Sequence, residues 1–221
     1  MTKRSGRGII VLLIVLMMSA GGVYAEKNIA GSMRDGEGDP KAGKEKAEMC
    51  GGCHGADGMS IDPAFPHLAG QYAGYTYKQV LDFQSGNRSA DETMVAMAGM
   101  VTDVQDLKDI SAYYASLKMM KGTPGDAELA KKGEKLNLYG NKKLGDFAAC
   151  VRCHGEQGKG LDKKNALFPV IGGQSKDYLI KQLRDFKSGV RTNDPAGMMA
   201  VVAQGMTDEE IIAVSEYLSG L

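Results

Sequence analysis

The chain has 221 residues, with 27 Lys and Arg against 27 Asp and Glu, so its formal net charge is zero. Such a balance offers no basic face of the kind nucleic-acid binding uses. Four Cys and three His confine any metal or redox chemistry to a few positions.

In chain order, Lys3, Arg4 and Arg7 precede an unbroken apolar run from Ile9 to Met18, and small residues lead to Val23-Tyr24-Ala25. This reads as a secretory signal peptide over 1–25, cleaved after Ala25, with a short segment 26–37 behind it. The run falls short of the roughly 20 apolar residues a membrane span takes. If the peptide is retained, it gives a loose membrane association. Cleavage removes three basic and no acidic residues, leaving 24 basic against 27 acidic and a charge of −3.

A helix is expected from Asp39, a good N-cap, running toward Cys50-Gly51-Gly52-Cys53-His54. A Gly-rich loop follows the His. A middle helix carries Tyr75, Lys78, Gln79 and Phe83, with Tyr, Gln and Phe near one face. A final helix starts at Thr102-Asp103, with the hydroxyl as cap, and ends at Leu117.

The same order then repeats. Phe65-Pro66-His67-Leu68-Ala69-Gly70-Gln71 recurs as Phe168-Pro169-Val170-Ile171-Gly172-Gly173-Gln174, and Tyr75 to Arg88 recurs as Tyr178 to Arg191, at a constant offset of 103. The second copy starts its helix at Asp126, has a longer Gly-containing stretch before Cys150-Val151-Arg152-Cys153-His154, and ends on a helix from Thr207-Asp208 to Leu221. The expected organisation is all-α: domain one over 38–119, a linker over 120–125 containing Gly122, Pro124 and Gly125, and domain two over 126–221. Domains this small bury little apolar surface by themselves.

The two C-x-x-C-H motifs use every Cys and two of the three His. C-x-x-C-H is the attachment motif of c-type haem. The thiols form thioethers with the haem vinyls, and the His lies under the iron as proximal ligand. Cys50, Cys53, Cys150 and Cys153 are therefore the expected haem attachments, and His54 and His154 the expected iron ligands. A zinc site requires the Cys pairs to converge and gives no reason for a His after each pair. Export fits, since c-type haem is attached outside the cytoplasm. The expected compartment lies outside the cytoplasm.

The sixth ligand cannot be His at both sites, because only His67 remains. Its counterpart in the repeat is Val170, in a loop expected on the proximal side, so His67 reads as a surface residue. Methionine thioether is the natural alternative. The segment before each final helix, expected to be a loop, offers Met94, Met97 and Met100 in the first copy, and Met198 and Met199 in the second. Met94 and Met199 each lie seven residues before the apolar residue preceding the Thr, Val101 and Met206, and are the chosen ligands. Met97 stays as the rival in the first copy. Pro66 and Pro169 are either simple turn residues or supply a carbonyl to the proximal His Nδ1–H. Arg88 and Arg191 either pair with haem propionates or are solvated.

Taken together, Cys50-Gly-Gly-Cys-His-Gly-Ala-Asp-Gly, the paired Phe-Pro…Gly-Gln loops, Lys78-Gln-x-x-Asp-Phe-x-x-Gly-x-Arg88 and Ala112-Tyr-Tyr-Ala-Ser-Leu117 resemble the cytochrome c4 family over nearly all of 38–221. The resemblance implies two class I cytochrome c-like domains, each wrapped around one covalent haem. It also implies His/Met ligation, haems close together near the domain interface, and electron transfer between membrane respiratory complexes toward a terminal oxidase. Three functions follow: a free electron shuttle with no catalytic residues, the cytochrome subunit of a flavocytochrome that oxidises sulfide, or a two-haem peroxidase. A peroxidase needs an open iron position, and the available Met in each copy argues against it. A mildly acidic surface suits docking on a basic patch of a redox partner.

Overall fold

The structure is a computed structural model and describes residues 37–161 and 167–221. The expected signal peptide lies outside the described residues. Among the described residues there are helices, short 3₁₀ turns and one isolated bridge between Asn141 and Gly145.

The first half opens at Asp39, whose carboxylate accepts from the Lys41 N–H; Pro40 occupies the first helical position. The expected single helix breaks at Ala47 into α1 (Pro40–Lys46) and α2 (Glu48–His54). Then come α3 (Ala73–Ser85), α4 (Glu92–Gly99) and α5 (Val104–Ser116). The cap of α5 is the Asp103 carboxylate, accepting from the Gln105 and Asp106 amides, and not the Thr102 hydroxyl. A carboxylate accepts two amides at once and favours the positive end of the helix dipole.

The second half repeats the plan with α6 (Ala127–Tyr139), α7 (Val151–His154), α8 (Lys176–Ser188), α9 (Met198–Gln204) and α10 (Asp208–Ser219). Here the hydroxyl cap is present: Thr207 and Glu210 form a reciprocal capping box. The segments expected to be loops ahead of the final helices are themselves helical, α4 and α9.

In each half the first and last helices cross where the first carries a glycine. A Cβ on Gly43 would stand 1.9 Å from the Asp109 carbonyl oxygen, and one on Gly133 would stand 2.0 Å from that of Ala213. Only hydrogen fits, so α1 and α6 lie directly on the backbones of α5 and α10. A carboxylate fastens each crossing. Asp109 accepts from the Asp39 N–H at 2.8 Å, and Glu216 accepts from the Asp126 N–H at 2.7 Å. The apolar clusters are small: Ala47, Ile110, Tyr113 and Tyr114 in one half, and Leu179, Met206, Ile211, Val214 and Leu218 in the other.

The segment joining the halves is pinned along its length. Met120 is buried beside Tyr72 and Val170, and its N–H donates to the Ala69 carbonyl. The Gly122 N–H donates to the Leu221 carbonyl at 2.6 Å, and Lys159 Nζ donates to the Met120 and Gly172 carbonyls, both at 2.9 Å.

The α1–α5 crossing should be acid-labile. Hydrogen bonds from Lys46, the Asp39 amide and Gln105 hold the Asp109 carboxyl down at about 2. That lies below the ordinary carboxylate value of about 3.9. The stabilisation is therefore complete above the unfolded value and disappears as pH falls through the folded one. With Lys46 partly exposed, it amounts to about 1–2 kcal/mol. Asp109→Asn should lower the melting temperature at neutral pH and flatten its pH dependence between about pH 4 and 2. Thermal melts across that window check this, and an unchanged slope refutes it.

Candidate haem sites and the interface between them

Helix α2 carries Cys50 and Cys53, α7 has Cys150 as its N-cap residue and Cys153 within it, and both end on a buried histidine, with His54 8% and His154 7% exposed. The His54 Nδ1–H donates to the Pro66 carbonyl at 2.9 Å, and the His154 Nδ1–H donates to the Pro169 carbonyl at 2.8 Å. A carbonyl can only accept, so the proton is on Nδ1 and Nε2 is left with its lone pair free. Burial pushes both imidazoles below their ordinary value, which keeps them neutral. Pro66 and Pro169 thus take the carbonyl role and are not simple turn residues. Burial also pushes the Cys50 thiol up, and that of Cys150 up to about 11. The described residues contain no disulfide.

One continuous cavity runs through both halves. Cys50, Cys53, His54, Met94 and Met97 line it in the first, and Cys150, Cys153, His154, Met198 and Met199 in the second. The structure thus brings the expected thiols, imidazoles and thioethers together. Met100 is excluded, being 63% exposed. His67 also lines the cavity, but its Nδ1 accepts from the Ser60 amide at 3.0 Å, which places the proton of the neutral ring on Nε2 and leaves no free lone pair for iron.

Residues that the repeat hides hold the methionine helices. In the first half, Gln84 Nε2 donates to the Ala98 and Val101 carbonyls at 2.9 and 2.7 Å. These belong to the turn leaving α4, where the Ala98 carbonyl also accepts from the Val101 N–H at 3.1 Å. The Gln84 counterpart, Lys187, instead donates to Asp208. In the second half the extra residues before Cys150 do this work. Asn141 Oδ1 accepts from the Lys143 and Leu144 amides and shapes the insertion, while its Nδ2 donates to the Gly205 carbonyl at 2.9 Å and to Glu210 at 3.0 Å. Leu144 then lies on Gly205, where a Cβ would meet its Cδ1 at 2.3 Å. The corresponding residue of the first half, with no insertion over it, is exposed Met100.

The two halves meet across α3 and α8 through a nearly two-fold network. Arg88 donates to Gln79 in its own half at 2.7 Å, and to Gln182 and the Tyr178 hydroxyl across the interface at 2.9 and 3.0 Å. Arg191 reciprocates to Gln182, Gln79 and the Tyr75 hydroxyl at 2.7, 3.0 and 3.1 Å. Each guanidinium lies over a phenylalanine of its own half, Phe83 or Phe186, at 4.6 and 4.5 Å. The arginines are 7% and 5% exposed, so the solvated alternative falls. Burial opposes ionisation of Tyr178, but Arg88 and Arg191 outweigh it and hold its hydroxyl below the ordinary value. Asn193 breaks the symmetry. Its Nδ2 donates to Gln79 and Asp82, and its carbonyl accepts from Lys78 at 2.9 Å, whereas its counterpart Ala90 has no such reach.

The residues fit haem. Both buried guanidiniums line the cavity and, among the described residues, bond only to neutral acceptors, which leaves them short of the anionic partners that buried cations need. The buried Thr76 and Tyr114 hydroxyls on the cavity wall find no hydrogen-bond partner among the described residues. The donor set in each half is two thiols, an oriented neutral imidazole and a thioether.

Fold and sites define a two-haem c-type cytochrome. The cytochrome c family model matches twice, over residues 40–118 and 139–221. The chain is 46% identical over 187 residues to cytochrome c4 of Thiocapsa roseopersicina, covering 83% of this chain and 93% of that one. It is 39% identical to a thiosulfate dehydrogenase electron acceptor of Stutzerimonas stutzeri, covering 79% and 80%. The crystal structure of reduced recombinant cytochrome c4 from Pseudomonas stutzeri superposes with a TM-score of 0.74 at 41% identity, covering 83% and 99%. The chain belongs to the cytochrome c4 family, with two covalently bound haem c groups and an electron-transfer role.

Asn141 gives a stability test of the insertion. Asn141→Ala removes two hydrogen bonds to the α9–α10 turn and should destabilise the second half by about 1–2 kcal/mol in denaturant titration. Gly205→Val, which collides with Leu144, should cost more. If either variant is as stable as the parent, the insertion does not hold the turn.

Proposed function

We propose that this protein is a periplasmic two-haem electron carrier, exported after cleavage at Ala25, which passes electrons between membrane respiratory complexes toward a terminal oxidase. Cys50 and Cys53 attach one haem and Cys150 and Cys153 the other. His54 and His154 are the proximal ligands, Met94 and Met199 the distal ones, and Arg88 and Arg191 receive haem carboxylates at the interface. A haem bound there would supply the one-electron chemistry at its iron. The chain's own residues set the conditions: the proline carbonyls orient the imidazoles, a thioether favours the reduced iron, and apolar walls exclude water.

The observation that carries this reading is the shared cavity, in which each half presents the same thiol, imidazole and thioether set around a histidine already committed at Nδ1. A carrier needs no open coordination position, and a methionine on the cavity wall of each half suits that requirement better than peroxidase chemistry.

A second reading is favoured by two relatives. Proteins described as thiosulfate dehydrogenase electron acceptors are 39% and 36% identical, so a thiosulfate dehydrogenase is the alternative electron donor. It stands beside the flavocytochrome subunit as a dehydrogenase reading to test. Reduction of the oxidised protein by a purified thiosulfate dehydrogenase with substrate, compared with reduction by a quinol-oxidising membrane complex, separates the two.

The mature protein should gain the mass of two haems, retained through acid–acetone extraction. Met94→Ala and Met199→Ala should each abolish part of the thioether-to-iron charge-transfer band of the oxidised protein, and Met97→Ala should not. Loss of the band in Met97→Ala would move the first ligand to that residue. One haem, or haem lost on extraction, overturns the reading.

A further inference from the structure

We propose that each half tunes the haem of the other: Gln71 acts on His154, and Gln174 acts on His54, each through one peptide group. The inference rests on the reading of His54 and His154 as proximal ligands. Pro169 and Val170 share a planar peptide unit, which holds its carbonyl and N–H rigidly antiparallel. The carbonyl accepts from His154 Nδ1 at 2.8 Å, and the N–H of the same unit donates to Gln71 Oε1 at 3.0 Å. In the other direction, the peptide between Pro66 and His67 accepts from His54 Nδ1 at 2.9 Å and donates to Gln174 Oε1 at 2.7 Å. Both chains run imidazole, peptide, glutamine, and both cross from one half to the other.

The glutamines are fixed in that role. Gln71 Nε2 donates to the Val170 carbonyl and Gln174 Nε2 to the His67 carbonyl, each at 2.8 Å. Each therefore grips both polar groups of the residue after the proline. Each Oε1 also accepts from the next amide of its own chain, Tyr72 at 3.0 Å and Ser175 at 2.8 Å, which sets the side-chain rotation. Both side chains are 5% exposed, so bulk water does not compete freely for them.

The consequence has a sign. Hydrogen bonds in series polarise one another, so a glutamine oxygen on the amide makes the proline carbonyl a stronger acceptor from the imidazole. That raises the basicity of the ligating nitrogen and favours oxidised iron. Removing the glutamine oxygen should raise the potential of the haem in the opposite half. Simply opening the interface should do the reverse, because water reaching the haems stabilises the charged, oxidised iron at both sites. The two directions should also differ in size. Val170 is 1% exposed, so its amide is left with no substitute acceptor. His67 is only partly buried, and water can replace Gln174 there.

The test uses the holoprotein with Gln71→Met and Gln174→Met, close in length and without the oxygen, and Gln71→Asn as a variant that keeps the amide but withdraws it. Spectroelectrochemical titration gives the two potentials. NMR of the reduced protein assigns each step to a haem through the iron-bound imidazole and its Nδ1–H. Gln71→Met and Gln71→Asn should shift upward the potential of the haem at Cys150 and Cys153 and leave the other in place. Gln174→Met should shift the haem at Cys50 and Cys53 upward by a smaller amount. A shift confined to the glutamine's own half, a joint fall of both potentials, or no shift overturns the proposal. Absence of iron-bound His54 or His154 signals from the unmodified holoprotein would instead refute the ligand reading itself.

Discussion

Each half is organised around a histidine whose Nδ1–H has been given to a proline carbonyl. The histidine closes a helix that also carries two thiols, and the proline begins the loop returning to α3 or α8. Once that bond is made, at 2.9 Å in one half and 2.8 Å in the other, the imidazole can neither rotate nor change tautomer without losing a buried hydrogen bond, at a cost of about 1–3 kcal/mol. Burial keeps the ring neutral, and one nitrogen is left for iron. The glycine contacts between first and last helices serve the same end. They bring α1 against α5 and α6 against α10 so closely that little apolar side chain is left between them, and the remaining apolar surface turns toward the cavity. A covalent haem then supplies the core that halves of this size lack.

The duplication is nearly symmetric where the halves face each other and diverges where they do not. Arg88 and Arg191, Tyr75 and Tyr178, and Gln79 and Gln182 exchange equivalent bonds. Asn193 adds contacts to Gln79 and Asp82 that Ala90 cannot return, so Asp82 is buried at 3% exposure while Asp185 remains more open. The turn behind each methionine helix is held by unrelated means, by Gln84 on α3 in one half and by the Asn141 insertion in the other. The two ends of the cavity are therefore lined by the same donor types in unequal electrostatic and mechanical settings, which is a physical basis for unequal potentials.

Much of this was legible in the sequence because the signals were local or repeated. The Cys-x-x-Cys-His motifs, the caps at Asp39, Asp126 and Thr207, and the constant offset between Tyr75–Arg88 and Tyr178–Arg191 required no tertiary knowledge. The proline carbonyls emerged as one of two alternatives, and the structure selects between them. What failed to show were contacts that depend on packing between halves. Arg88 and Arg191 read from the sequence either as partners of haem propionates or as solvated residues, and only the apposition of α3 and α8 buries them. Gln71 and Gln174 were visible as repeated letters in the Gly-Gln loops, but nothing in a single copy says that each reaches into the other half. Thr102 was mistaken for the cap because its neighbour Asp103 offers a stronger acceptor one residue on. The helical character of Glu92–Gly99 was obscured by a Met- and Ala-rich run that suits a loop ligand equally well.

The polar character of the interface carries its own argument. An apolar seam of the same size would hold the halves together without placing charge between them, and burying two arginines against neutral acceptors is unfavourable unless anions complete the site. Both guanidiniums line the cavity, so haem carboxylates arriving from the two halves would find their countercharges in the same layer that joins the halves. Cofactor loading and domain docking would then be a single event. The pinned connection favours the same coupling. With Met120 buried, Gly122 bonded to Leu221 and Lys159 tied to Met120 and Gly172, the halves are held at fixed separation and not left to diffuse on a tether. An electron entering one half would therefore meet a partner haem whose distance is set by the fold, and exchange between the two should proceed at a rate independent of protein concentration.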